Sequence, residues 1–130
     1  MLAYVLIAIG SALGGTGRYF FSGLVMSFTG GTFPYGTMFV NVTGCLIIGF
    51  FATLTGPDGR LLVDTPARQF VMIGICGGYT TFSSFSLETF NLMNSGEWIP
   101  AALNAALSLV LCIVSVWIGY VAATALNRGV

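Results

Sequence analysis

The chain has no lysine and no histidine among its 130 residues, and its four Lys/Arg positions are balanced by four acidic ones to a net charge of zero. Without a basic surface, nucleic acid has nothing to bind. Without histidine, the commonest metal ligand and general base are missing. Charged residues make up 6% of the chain, against the ~25% usual in soluble domains. So little charge cannot cover a water-facing surface, and with 56% hydrophobic residues the chain reads as an integral membrane protein. Cysteine is scarce. Cys45, Cys76 and Cys112 each lie inside an apolar stretch with no metal-ligand spacing, so they read as reduced thiols acting as small hydrophobes. No nucleophile–base pair or metal cluster suggests an enzyme. The length fits one domain, residues 1–130. Apolar sequence starts at Leu2 without a basic n-region, so the first segment is expected to persist rather than be cleaved as a signal peptide.

What is present is four apolar segments, about residues 2–28, 36–54, 66–94 and 98–126, each close to or beyond the ~20 residues that span a hydrocarbon core. The architecture expected is all-α, with four transmembrane helices in a single membrane domain. Gly30–Gly31 and Pro34 interrupt the chain between the first two segments. The longest loop, residues 55–67, carries Asp58, Arg60 and Asp64, which with Arg68 offset one another. Thr65–Pro66 reads as an N-cap and first helical residue.

The chain is organised around residues 74–88, GICGGYTTFSSFSLE. Three glycines, two threonines, three serines and a carboxylate are unusual in a bilayer-spanning helix. Gly77–Gly78 with Thr80–Thr81 can open the backbone. Irregular backbone at membrane depth survives where protein or a wet cavity satisfies it, so a break at about 77–81 suggests an ion or substrate site. After the break, Thr81, Ser84 and Glu88 form one polar helix face, and Phe82 and Phe85 form an aromatic face. The phenylalanines also suit lipid or a packed core. Gly74 and Gly78 also suit close helix packing.

The other segments each hold a polar feature. Gly10 and Gly14 form a small-residue face that Arg18 extends by one turn. An arginine there either snorkels or packs, or lines water and draws anions into a vestibule. Asn41 is the one strongly polar residue of the second segment; it either bonds across to another helix or presents its amide to an anion. In the fourth segment Asn104, Ser108, Cys112 and Ser115 recur on one helical stripe. That stripe provides either interhelical hydrogen bonds or a track of donors beside an ion path. Small-residue faces on segments one, two and three favour tight association, and hence an oligomer.

The string GGYTTFSSFSLE, residues 77–88, strongly resembles the G-G-x-[ST]-T-F-S-[ST]-F-x-x-E signature of the Fluc fluoride channels, the CrcB family. The resemblance covers essentially the whole chain: its length, four apolar segments, GxxxR in the first and an asparagine in the second. It implies a passive fluoride-selective channel that exports F⁻ across the plasma (inner) membrane, built as an antiparallel, dual-topology homodimer. It implies that Asn41, Thr81, Phe82, Ser84, Phe85, Glu88, Asn104 and Ser108 line the pore and that Arg18 sits in a vestibule. It further implies a central, non-permeating Na⁺ held by the backbone carbonyls of Gly77 and Thr80. The family often has a larger hydrogen-bonding residue at position 104 and a hydroxyl at position 112; this chain has Asn104 and Cys112, while Ser108 matches.

The chemistry suits the ion. Fluoride is small, strongly hydrated and accepts hydrogen bonds without donating any, so a pore must replace its water with donors. Thr, Ser and Asn donate without a trapping charge, and phenyl ring edges carry partial positive charge. Topology pulls two ways. Arg60, Arg68 and Arg128 would share one side of the membrane, and the positive-inside rule places that side, with both termini, in the cytoplasm; the resemblance implies both orientations. The competing reading is a small proton-coupled, dual-topology multidrug exporter. Such exporters carry a membrane carboxylate in the first helix, where this chain has Arg18; its only membrane carboxylate is Glu88, in the third segment.

Overall fold

In a computed structural model that describes residues 1–129, the chain is all-helical among the described residues. The first helix, α1, runs Leu2–Thr29 and α2 runs Tyr35–Leu54. The third segment is composite. A short α3, Thr65–Gln69, passes into a π-helical stretch, Phe70–Cys76, then into α4, Gly77–Tyr79; after an interruption it resumes as α5, Phe82–Asn94. The last helix, α6, runs Trp98–Arg128. The Gly30–Gly31 turn takes positive φ at both glycines, 61° and 80°, which glycine adopts without a Cβ penalty.

By length and composition, Tyr35–Leu54, Thr65–Asn94 and Trp98–Arg128 can cross a membrane. At 28 residues α1 is also long enough, about 42 Å, but Arg18 and its glycine- and hydroxyl-rich middle dilute its apolarity. Burial runs opposite to that of a water-soluble protein. Buried polar residues (Thr37, Asn41, Thr55, Thr81, Asn104, Ser108, Ser115) outnumber buried hydrophobic ones (Val40, Cys76, Leu92, Ala101, Ala123). Large apolar side chains such as Leu109, Ile113 and Trp117 point outward at helical spacing. Hydrocarbon is the solvent that accepts such a surface, and this is a multi-pass membrane protein.

Two features depart from the sequence reading at the third segment. It starts one residue earlier, with Asp64 at the N-cap and Pro66 inside the first turn. Its interruption is narrow: Gly77 and Tyr79 are helical, and only Thr80 and Thr81 are extended, with φ/ψ of −85°/158° and −152°/119°. Arg68 secures the base of this segment by donating to Thr55 Oγ1 at 3.2 Å and to the Ala52 carbonyl at 3.4 Å, placing a cation at the C-terminal end of α2.

The glycine faces make close helix packing, as Gly74 and Gly78 suit, and they make it within the chain. Gly10 and Gly14 of α1 meet Gly74 and Gly78 of the same chain: a Cβ on Gly10 would lie 2.9 Å from Gly74 Cα, and one on Gly78 2.7 Å from the Ser11 carbonyl oxygen. Gly49 of α2 meets the backbone of Val116, and Gly119 of α6 meets Leu46 and Phe50. Gly44 leaves room for the Tyr79 ring and the Thr80 methyl. These faces are therefore consumed within one chain, and the case for an oligomer has to rest on other surfaces. Overpacking at such a contact costs about 1–3 kcal/mol. Gly78→Ala should lower the thermal midpoint in detergent, whereas Gly23→Ala, with nothing within 4 Å of its Cβ, should leave it unchanged.

Candidate functional site

The interruption exists because a side chain replaces backbone hydrogen bonding. Asn41, buried on α2, donates from Nδ2 to the Thr81 carbonyl at 3.0 Å and accepts the Thr81 N–H on Oδ1 at 2.7 Å. One amide thus satisfies both backbone groups of Thr81. In an unbroken helix that N–H would go to the Gly77 carbonyl. Thr80 N–H and Oγ1 both fold back on the Cys76 carbonyl, at 3.0 and 2.9 Å, closing the helix before the break. Thr81 opens the next one. Its Oγ1 accepts the Ser84 N–H at 3.1 Å, an N-cap bond. The same oxygen lies 3.1 and 3.2 Å from the Ser84 and Ser83 hydroxyls.

The restart of the helix aims its two faces into different cavities. One, of about 470 Å³, is lined by Asn41, Thr81, Phe82, Phe85 and Ser108, together with Cys45 and Cys112. The Phe82 and Phe85 rings stand 5.4 Å apart, tilted by 48°, and Phe82 is 79% exposed. The other cavity, of about 410 Å³, is lined by Arg18, Ser22, Thr37, Thr81, Ser84 and Glu88. Arg18 supplies its only positive charge and Glu88 its only negative one. Thr81 lines both.

Asn104 stands apart. It is 1% exposed, donates from Nδ2 to Thr89 Oγ1 at 2.9 Å and accepts from Ser108 Oγ at 3.4 Å. It lines neither cavity and ties α6 to α5. The fourth-segment stripe therefore divides: Ser108 and Cys112 face the first cavity, while Asn104 is a helix–helix contact.

Two partners were missed in the sequence. Thr37 donates to Glu88 Oε1 at 2.7 Å; it lies one turn before Asn41 on the same face, an i, i+4 polar pair that could have flagged it. Tyr79 OH lies 2.9 Å from Thr43 Oγ1 and holds the end of α4 against α2. The other carboxyl oxygen, Glu88 Oε2, is buried without a hydrogen-bond partner among the described residues, and Thr37 is the one hydrogen-bond partner of the group among them. Leaving a buried acceptor without its partner costs about 1–3 kcal/mol. Thr37→Val should lower stability by about that much, and the loss should largely vanish in a Glu88→Ala background, as a double-mutant cycle of unfolding in detergent would read.

A family model for the CrcB-like proteins (camphor resistance, CrcB) matches residues 5–120. Among curated relatives, the "Fluoride-specific ion channel FluC" of Methylocella silvestris is 57% identical over 96% of this chain and 95% of its own. The protein of the same name from Opitutus terrae is 58% identical over 98% and 96%, and that from Rhodospirillum rubrum is 51% identical over 99% and 100%. Matched along nearly its whole length, and holding the family's third-segment motif at the helix interruption described above, the chain belongs to the CrcB family.

Proposed function

We propose that this protein is a fluoride-selective ion channel that passes F⁻ out of the cell passively across the plasma membrane. The observation that carries the reading is the interrupted third segment, whose restart sends a phenylalanine pair into one cavity and a Thr–Ser–Glu face with Arg18 into the other. It is supported by relatives at over 50% identity that are named fluoride-specific ion channels.

The chemistry follows from the residues. Arg18 raises the local anion concentration in a wet vestibule. Thr81, Ser84 and Ser108 offer neutral donors that replace hydration without trapping the ion. Phe82 and Phe85 present ring edges with partial positive charge. Asn41 holds Thr81 in place with its Oδ1 and one N–H of Nδ2, and the second N–H of that amide is a further donor at the cavity it lines. Asn104 acts through its bond with Ser108.

The pore is completed by a second, antiparallel copy, with four transmembrane helices in each. Support comes from what one copy leaves uncovered: the exposed Phe82 ring and the exposed Gly77 backbone, both on a segment at membrane depth, where a freed backbone group requires a partner. A structural Na⁺ fits the same place. Because Thr81 N–H is committed to Asn41, the Gly77 carbonyl loses its helical partner and is available to a hard cation, as is that of Thr80. Held by these carbonyls, the ion would supply a fixed positive charge at the centre.

Purified protein in liposomes should release fluoride down its gradient. Phe82→Ile and Phe85→Ile, which keep apolar bulk but remove the ring edge, should fold and lose most of that flux. Replacing Na⁺ throughout purification by a bulky organic cation should lower both dimer stability and flux. Absence of fluoride flux from the unaltered protein would refute the channel reading; normal flux in both isoleucine variants would remove the rings from the mechanism.

A further inference from the structure

Cys45 of α2 and Cys112 of α6, far apart in sequence, line the same cavity as Asn41, Phe82, Phe85 and Ser108. Gly49 of α2 touches the backbone of Val116 of α6, and Cys45 and Cys112 each lie one turn before that contact, so they share one level of the helix pair; both residues are half-buried and free of disulfides. Cys76 is also free but fully buried, and it does not line that cavity. The channel chemistry uses none of the three thiols.

We propose that Cys45 and Cys112 form a two-coordinate binding site for a soft, thiophilic divalent metal ion, of which Hg²⁺ is the type, and that the occupied site obstructs the cavity. Thiolate ligands select soft ions over hard ones. No group of three or more His, Cys, Asp or Glu that could hold a metal exists among the described residues. The tetrahedral ligand set that Zn²⁺ takes is therefore absent, whereas a linear S–metal–S unit needs only two sulfurs. The charge balance favours the same class of ion. Each thiol gives its proton to solvent as its sulfur–metal bond forms, so two thiolates and one divalent ion make a neutral unit, which carries no net charge into the half-buried cavity. A cavity of about 470 Å³ admits the ion and its last waters.

Binding by the thiol pair stands independently of the channel reading; the obstruction of fluoride flux rests on it. The test uses the full chain, HgCl₂ as the probe and an equimolar monothiol as competitor. Intact mass and alkylation of the denatured protein should show one mercury per chain and two protected thiols in the unaltered protein and in Cys76→Ser. Cys45→Ser and Cys112→Ser should each weaken retention by more than the roughly 10–100-fold that loss of an outer-shell partner costs. A site resting on a single thiol would be lost in only one of the two variants. Retention in either variant, or loss in Cys76→Ser, would overturn the paired site. In liposomes, HgCl₂ should slow fluoride efflux relative to each protein's own metal-free rate, with reversal by dithiothreitol. Unaltered efflux from protein shown to hold mercury would overturn the obstruction. Efflux absent before any mercury is added would instead count against the channel reading and leave the bound-metal result standing.

Discussion

The exchange of two hydrogen bonds between the Asn41 side chain and the Thr81 backbone, at 3.0 and 2.7 Å, is the constraint on which the rest of the structure depends. A helix opened inside hydrocarbon must satisfy every polar group it frees. A buried group left unpaired costs about 1–3 kcal/mol, and Asn41 meets two such demands with one side chain. Because Thr81 is held away from helical geometry, it can act as the N-cap of α5. That cap fixes the start of α5, and the start fixes which way Phe82, Phe85, Ser84 and Glu88 project. The two cavities on either side of α5 are thus a consequence of one amide on a neighbouring helix.

The clamp needs close walls, and glycine provides them. Gly10 and Gly14 let α1 approach the Gly74–Gly78 stretch until backbones touch, and Gly44 admits Tyr79 and Thr80 against α2. Contact of this kind holds helices together where lipid removes the usual hydrophobic drive for association. The interior left between them is small and polar, while the large apolar side chains face outward. Cavities lined by hydroxyls are compatible with stability in that inverted arrangement.

Much of the fold was legible because it is written in composition and local spacing. Scarce charge and long apolar runs point to a membrane bundle, and the glycine–threonine cluster marks the segment that breaks. The grouping of Thr81, Ser84 and Glu88 follows from helical period alone, and the structure puts all three on one cavity. What stayed hidden depends on contacts distant in sequence. Asn41 and Thr81 are 40 residues apart and Thr37 and Glu88 are 51 apart, so no local pattern pairs them. The shared cavity wall of Cys45 and Cys112 is hidden for the same reason. The π-helical stretch at Phe70–Cys76 changes bonding from one turn to the next and leaves no compositional mark. The glycine faces were correctly seen as contact surfaces, but spacing cannot say whether the partner is another helix of the same chain or of a second copy. Asn104 illustrates the converse: a polar residue on the expected stripe whose amide is used up by Thr89 and Ser108.

The claim that the Asn41 amide holds the break open can be tested directly at the Thr81 amide proton. In the intact protein this N–H is bonded to a buried side chain and should exchange slowly with deuterium. In Asn41→Ala, protection at Thr81 should fall by about 5- to 150-fold, the equivalent of about 1–3 kcal/mol, while amides in the middle of α6 keep theirs. Thr81 protection unchanged by Asn41→Ala would contradict the account, because it would mean that another group, and not the Asn41 amide, satisfies the opened backbone.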